Sequence, residues 1–495
     1  MNVLTVKLWG EELGRLVWDQ VRKTTYFVFN PKNSNRADVS PLMHPADKWN
    51  VNNPIFGDTR RIYQNLPPFI ADSLPDSWGN KVFDKWIKRN RIPKHKVTPL
   101  YKLMFIGKRS MGALEFEPAA EELIHPKEVD VKSLYDLSLE IQEQRESTIM
   151  DYSDELKLHT ILAVGTSAGG RQMKAILAIN PTTGEIRSGQ IETVDGFDYF
   201  ILKFEDKVLP SSEIEMAYYD MATTSGIEME DCRLMSVEGV KHFMTKRFDR
   251  KNGEKIHMQT LAAINPDVDS YEDLFATCRS LKLTETEISQ LFRRLVFNVM
   301  ANNTDDHNKN FSFLLDRTGR WRLSPAYDLT FIFNRYGTDA ETTHCLSLYG
   351  KTDDITKEDL IYIAKENSIR NAEEIISQVA DSVAKFQDFA SKYDIPSNWS
   401  HIINKTLHRN LVNFGYVTPQ ICSVEFVDSK GRMFKDISVS TSSKGIYQLS
   451  TSIDGKTRRR FIKPSDPTFE EIRQYEIGSL SLSSVKELLI RLFPE

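Results

Sequence analysis

Short runs with every second residue apolar open the chain, and longer runs with helical spacing dominate its second half. Residues 3–9 alternate as a strand that turns at Gly10, and 16–19 read as its return. Helical stretches follow over 68–74 and 81–89. Residues 175–179 predict a strand, and Pro181 to Gly184 a turn into another. An apolar strand over 197–204 carries Lys203 near its end. The spacing over 213–222 predicts a helix, with Ser211 or Ser212 as its cap. Residues 241–248 alternate again, and 285–297 have apolar positions at helical spacing. A hairpin is expected over 311–323, turning at Asp316 to Gly319. Beyond 416 three strand-like runs, 423–427, 437–440 and 446–449, precede a helix over 484–492.

This order divides 495 residues into four units, because one core of that size is too large for a single ordinary domain. Residues 1–120 form an amino-terminal α/β unit. A small nucleotide-binding lobe spans 121–249 and a mainly helical lobe 250–416. Residues 417–495 are an accessory α/β domain of unknown role. Strand 241–248 is expected to lead into a hinge where adenine meets backbone groups.

The candidate chemistry lies in Thr304-Asp305-Asp306-His307-Asn308-Lys309-Asn310. Asp305 and Asn310 stand five positions apart, the Asp-to-Asn spacing of a kinase catalytic loop. Phosphoryl transfer needs a carboxylate to orient the attacking hydroxyl and a neutral oxygen, such as an Asn amide, to hold magnesium. Asp306 is the rival carboxylate. The hairpin that follows returns the chain to Tyr327-Asp328, so Asp328 is the second candidate magnesium ligand. Upstream, Val164-Gly165-Thr166-Ser167-Ala168-Gly169-Gly170 is small enough for its backbone to approach phosphate oxygens. No Gly-Lys-Ser/Thr closes it, and a strand follows, so it is not a Walker A loop. Lys174 ends this stretch. Lys203 requires a partner if buried. ATP phosphates fit, with Glu213 or Glu215 holding the lysine in place.

With these motifs the chain resembles the HipA-like serine/threonine kinases, the toxins of bacterial HipA–HipB toxin–antitoxin modules. Five segments carry the likeness: Leu74-Pro75-Asp76-Ser77-Trp78-Gly79-Asn80, Gln172-Met173-Lys174, Lys246-Arg247-Phe248-Asp249-Arg250 with His257, the loop from Asp305 to Phe311, and Tyr327-Asp328-Leu329. The likeness covers roughly residues 1–416, and the tail departs from it. It implies an α+β, two-lobed protein-kinase-like fold that uses ATP and Mg2+. Asp305 becomes the general base, Asn310 and Asp328 the magnesium ligands, and Lys203 the phosphate lysine. Lys174 joins Gly165, Thr166, Ser167, Ala168, Gly169 and Gly170 around the nucleotide. Lys309 is grouped with the catalytic residues and His307 with the nucleotide-binding ones, although His307 read alone either orients Asp305 or fills a polar core, the structural role being preferred. Thr166 and Ser167 are autophosphorylation candidates whose modification switches such kinases off. A translation-related protein substrate such as an aminoacyl-tRNA synthetase is implied, with a small HipB-like antitoxin that carries any contact with DNA. A small-molecule or lipid kinase, and a non-catalytic co-repressor bound to an antitoxin, are the alternatives.

Composition narrows this further. Forty per cent hydrophobic and 27% charged residues indicate a folded chain rather than a disordered one. No run of about eighteen apolar residues suggests a membrane span, and the start lacks signal-peptide design. Four scattered cysteines without metal spacing fit free thiols in a cytoplasm. A net charge of −5 argues against attraction of the whole molecule to nucleic acid. Lys81, Lys85, Lys88, Arg89, Arg91, Lys94, Lys96 and Lys102, with Trp86 and Tyr101 between them, form a basic stretch read as a solvated helix face. Lys456 to Arg460 is read as a charged hairpin.

Overall fold

The computed structural model describes residues 3–32, 38–45, 48–49, 52–119, 129–143, 172–190, 195–205, 209–416, 422–441, 447–463, 465–469 and 482–494. The glycine-rich stretch with Gly165, Thr166, Ser167, Ala168, Gly169 and Gly170 lies outside the described residues.

Five antiparallel strands open the fold: β1 (Val3–Leu8), β2 (Glu11–Asp19), β3 (Thr24–Phe29), β4 (Ile55–Phe56) and β5 (Leu114–Glu117), in the order β4-β3-β2-β1-β5. Alternation puts Leu4, Val6 and Leu8 inside and leaves Thr5 and Lys7 half-covered. The helix Ser77–Arg89 packs Val82, Phe83, Trp86 and Ile87 inward and turns Lys81 and Lys88 outward. Trp86 is therefore core, not an aromatic displayed among the lysines. Lys102 is largely covered and donates to Asn80 at 2.9 Å. The expected single solvated helix face is thus divided: Lys81 and Lys88 are exposed on this helix, Lys94 and Lys96 on the short turn of helix after it, and Lys102 turns back toward Asn80.

The second sheet contains β6 (Lys174–Ile179), β7 (Ile186–Ser188), β8 (Asp198–Lys203), β9 (Cys232–Val237) and β10 (Val240–Lys246), ordered β7-β6-β8-β10-β9. The helix Ser211–Thr224 packs against β10. Its cap differs from expectation. Neither serine side chain caps it. The Glu205 carboxylate accepts the amides of Ser211 at 2.9 Å and Ser212 at 2.8 Å instead. Ser212 Oγ is spent on the Phe243 amide of β10 at 3.1 Å. Burial pushes Glu205 up to about 7, and the hydrogen bonds from Ser212 oppose this.

A short hairpin of β11 (Arg250–Lys251) and β12 (Glu254–Lys255) leads into the large lobe. There β13 (His257–Thr260), β14 (Ser312–Leu315) and β15 (Trp321–Leu323) form a small sheet. The rest is mainly helical. The helix Glu285–Met300 starts at a reciprocal Thr284/Glu287 capping box and buries Leu291, Phe292 and Leu295. Beyond 416, β16 (Cys422–Val427), β17 (Met433–Thr441), β18 (Tyr447–Ile453) and β19 (Lys456–Ile462) form an antiparallel sheet in chain order. Phe434, Ile437 and Leu449 pack with Leu488, Leu489 and Leu492 of the helix Leu482–Leu492 in a core separate from the main one. The basic cluster Lys456 to Arg460 lies on β19, the second strand of a hairpin with β18.

Strand β10 stops at Lys246, two residues short of the expected strand, because the following residues have another task. Asp249 is fully buried and accepts Arg247 Nε at 2.8 Å, Arg250 at 2.8 Å and the Gly112 amide at 2.7 Å. Arg250 also donates to the carbonyls of Gly112 at 3.0 Å and Ser110 at 3.1 Å. Gly112 has φ 73°, and a Cβ there would stand 2.7 Å from the Met258 amide, so only glycine fits. This buried Arg-Asp-Arg cluster fastens the amino-terminal unit to the start of the large lobe. Burial works against the Asp249 charge, but the two guanidinium groups outweigh it and hold the carboxyl well below the usual range.

Two outcomes follow. Asp249→Asn strands two buried guanidinium groups and should cost about 3–5 kcal/mol in urea unfolding. Because the folded carboxyl is held low, its contribution is present at neutral pH and lost only as pH falls through that lowered value. A cost below about 1 kcal/mol would contradict the clamp. The separate carboxy-terminal core also predicts that a chain ending near Thr418 stays monodisperse and unfolds cooperatively. Insolubility of that chain would show the tail to be part of the main fold.

Candidate active site

Lys203 ends β8 on the inner face of its sheet, 8% exposed. Its ammonium contacts two carboxylates, Glu215 from the helix Ser211–Thr224 and Asp328 from the loop after β15. Glu215, not Glu213, is therefore the helix partner; Glu213 lies 3.9 Å from Lys241. Burial opposes the Lys203 charge, but Asp328 and Glu215 outweigh it and hold the ammonium above the usual lysine range. Asp328 goes the opposite way: burial is overcome by Lys203 and Lys174, and the carboxyl is held below its ordinary value. Asp328 also adopts φ 54°, a left-handed conformation uncommon outside glycine, which aims its side chain back at β8.

The helix holding Glu215 is fixed to the large lobe along its length. Tyr218 Oη donates to the Ala301 carbonyl at 2.6 Å, Ser382 Oγ donates to the Met221 carbonyl at 2.6 Å, and Asp220 pairs with Lys392 at 2.6 Å. Ala301 follows the helix Glu285–Met300, so the contact ties Glu215 to the base of the candidate catalytic loop.

In that loop the two adjacent aspartates have opposite environments. The Asp305 side chain is 53% exposed, whereas that of Asp306 is 0% exposed. Asp306 accepts Tyr271 Oη at 2.6 Å, His344 Nδ1 at 2.8 Å and the Cys345 amide at 2.7 Å. Asn298 donates to the same Tyr271 oxygen at 3.0 Å. With its oxygens occupied and no solvent, Asp306 is a structural anchor, and Asp305 is the carboxylate a substrate can reach.

Asn310 donates its Nδ2 to the Asp305 carbonyl at 2.7 Å, which leaves its Oδ1 to meet a cation. His307 does not fill a polar core. It is partly exposed, its Nε2 lies 3.7 Å from Asp305 Oδ1, and its Nδ1 accepts the Lys309 amide at 3.2 Å. His307 also contributes, after Lys203 and Lys174, to holding the Asp328 carboxyl low. Lys309 is exposed, and its carbonyl accepts Tyr327 Oη at 2.7 Å. Cys345 Sγ lies 3.9 Å from Asp305 Oδ1, a neighbour that no sequence motif announced.

Among the described residues no three His, Cys, Asp or Glu side chains converge on one point. Magnesium bound through phosphates needs only one or two protein ligands, so Asn310 and Asp328 suit it. The described cysteines Cys232, Cys278 and Cys345 are free. No described helix is long and apolar enough to cross a membrane.

The HipA N-terminal domain matches residues 4–117 and the HipA-like C-terminal domain residues 166–386. The chain belongs to the HipA-like kinase family. Its fold is that of Shewanella oneidensis HipA, solved as a complex of HipA, HipB and operator DNA. That likeness has a TM-score of 0.57 and 16% identity, and covers 83% of this chain and 96% of that one. The kinase-named protein Y4dM of Sinorhizobium fredii is 22% identical over 421 residues, covering 80% of this chain and 93% of its own. A kinase-named protein of Haemophilus influenzae is 26% identical over 191 residues, covering 34% of this chain and 53% of its own. The two-lobed kinase-like fold is thus established, and the protein is a kinase by family.

The contrast between the aspartates is measurable without any substrate. Asp306→Ala orphans several buried donors and should cost about 3 kcal/mol or more in chemical denaturation. Asp305→Ala, at an exposed site, should stay within roughly 0.5 kcal/mol of the parent. Equal costs would overturn the division between the buried anchor and the exposed carboxylate.

Proposed function

We propose that the chain is an ATP- and magnesium-dependent serine/threonine protein kinase of the HipA toxin type. The observation that carries this reading is the ion-paired set Lys203, Glu215 and Asp328, together with a loop that exposes Asp305 and ties it to the Asn310 amide. Lys203 binds the ATP phosphates while Glu215 keeps it in place. Asn310 and Asp328 hold magnesium, which when bound neutralises charge on the phosphate being transferred. Asp305 orients a serine or threonine hydroxyl and accepts its proton. The work is mostly positioning and charge neutralisation in a site partly closed to water.

The remaining assignments rest on family likeness. By that likeness the glycine-rich stretch serves the nucleotide phosphates, and phosphate on Thr166 or Ser167, which adds close to two negative charges, would switch the kinase off. A small DNA-binding antitoxin and a cytoplasmic, translation-related protein substrate complete the reading.

Asp305→Asn and Asp328→Asn should each lower transfer of the γ-phosphate by at least about 10³-fold without loss of the fold. Asp328→Asn should also weaken magnesium-dependent ATP binding, and Asp305→Asn should not. Labelling with γ-labelled ATP, resolved into protein, lipid and metabolite fractions, reads the outcome. Label only in the lipid or metabolite fraction would replace the protein-kinase reading with a small-molecule one. Near-normal activity of either variant would overturn the site. Mass spectrometry of the active and Asp305→Asn chains after incubation with ATP tests Thr166 and Ser167, where phosphate should appear in the active chain alone.

A further inference from the structure

Lys174 and Lys203 are direct register partners on β6 and β8. Partners across antiparallel strands project from the same face, about 5 Å apart at Cβ. Two buried ammonium groups side by side repel, so each needs its own counter-charge. Lys203 has Glu215 and Asp328. Lys174, 4% exposed, has Asp76, whose Oδ2 lies 3.5 Å from its Nζ. Asp76 belongs to the amino-terminal unit, outside both lobes.

Three further contacts fix this arrangement. Asp76 Oδ1 accepts the Gly79 amide and caps the helix Ser77–Arg89, leaving the buried Oδ2 for Lys174. Trp78 Nε1 donates to the Lys174 carbonyl at 3.1 Å, so the same turn grips side chain and backbone. Four residues earlier, Asp72 accepts both the amide and the hydroxyl of Thr260, each at 2.7 Å. Thr260 pairs with Ser312, at the strand leaving the candidate catalytic loop. The segment from Asp72 to Trp78 therefore spans from the large lobe to the small one across the edge of the cleft.

We propose that Asp76 is a positioning residue for the nucleotide phosphates, holding Lys174 beside Lys203 so that two ammonium groups face the phosphates, and that the amino-terminal unit is thereby part of the nucleotide site. This rests on the reading of Lys203 and Asp328 as the ATP site. A buried ammonium without an anion loses its charge, and burial already pulls Lys174 below the ordinary lysine value against the opposing effect of Asp76. Helix capping alone would not require a carboxylate, because asparagine caps equally well.

That difference supplies the test. In the full-length chain, Asp76→Asn keeps the cap and removes the charge. Titration calorimetry should show ADP and ATP binding weakened by about tenfold or more, as expected for one lost charge-assisted contact. Adenosine, which has no phosphate, should bind as before. On a Lys174→Met background Asp76→Asn should cause no further loss, because Asp76 acts through that lysine. ADP affinity unchanged in Asp76→Asn, or an equal loss for adenosine, would overturn the proposal. If Asp76→Asn does not fold, the double variant Asp76→Asn/Lys174→Met, which leaves neither charge unpaired, decides the matter: ADP affinity equal to the parent overturns it, and weakened ADP binding with intact adenosine binding supports it. Failure of the parent chain itself to bind ATP or ADP would instead overturn the reading of the site.

Discussion

The ammonium of Lys203 and the two carboxylates that meet it are the constraint on which the two lobes depend. A buried lysine is tolerated only if its lost hydration is offset by close opposite charge. Here the anions come from different parts of the chain, Glu215 from a helix and Asp328 from a loop in the other lobe. Both elements must therefore be held accurately. The helix is held by Tyr218, Ser382 and Asp220, and the loop by the hairpin β14–β15 and its left-handed residue. Displacing either would leave a charge in low-dielectric surroundings, so the same electrostatics that suit a phosphate also stiffen the resting site.

The other buried charges divide the labour. Asp249 holds a seam between the amino-terminal unit and the large lobe, and Asp306 supports the loop that presents Asp305. Asp72 and Asp76 pin one short segment to both lobes. None of these four carboxylates is open to solvent like Asp305. In this fold buried aspartates hold seams, and Asp305 is set apart from them by its exposure. The amino-terminal unit thereby becomes a structural partner of the cleft, reaching it through a helix cap whose second oxygen is free for a lysine.

Much of this was legible in the residues. Alternation predicted the inner face of β1 and a strand at β10, an apolar run predicted a strand at β8, and helical spacing found the helix that leads to the candidate catalytic loop. The five-residue spacing from Asp305 to Asn310 and the hairpin returning to Asp328 marked out the candidate site before any coordinates. The resemblance, not the residues alone, separated Asp305 from Asp306. The structure sets the two apart physically, because Asp306 is buried against Tyr271, His344 and Cys345 and Asp305 is exposed.

What the sequence determined by itself was therefore local: which segments alternate, which face is apolar, and which polar residues are spaced for phosphoryl chemistry. Period and spacing depend on neighbours a few positions apart. Only the tertiary structure decided that Glu215 rather than Glu213 meets Lys203, that Glu205 satisfies the helix start, that Trp86 is core, and that Asp76 pairs with Lys174. Each of these outcomes depends on packing or charge in space that local spacing does not specify. Their energies come from desolvation and charge, which depend on what surrounds a group in space rather than along the chain.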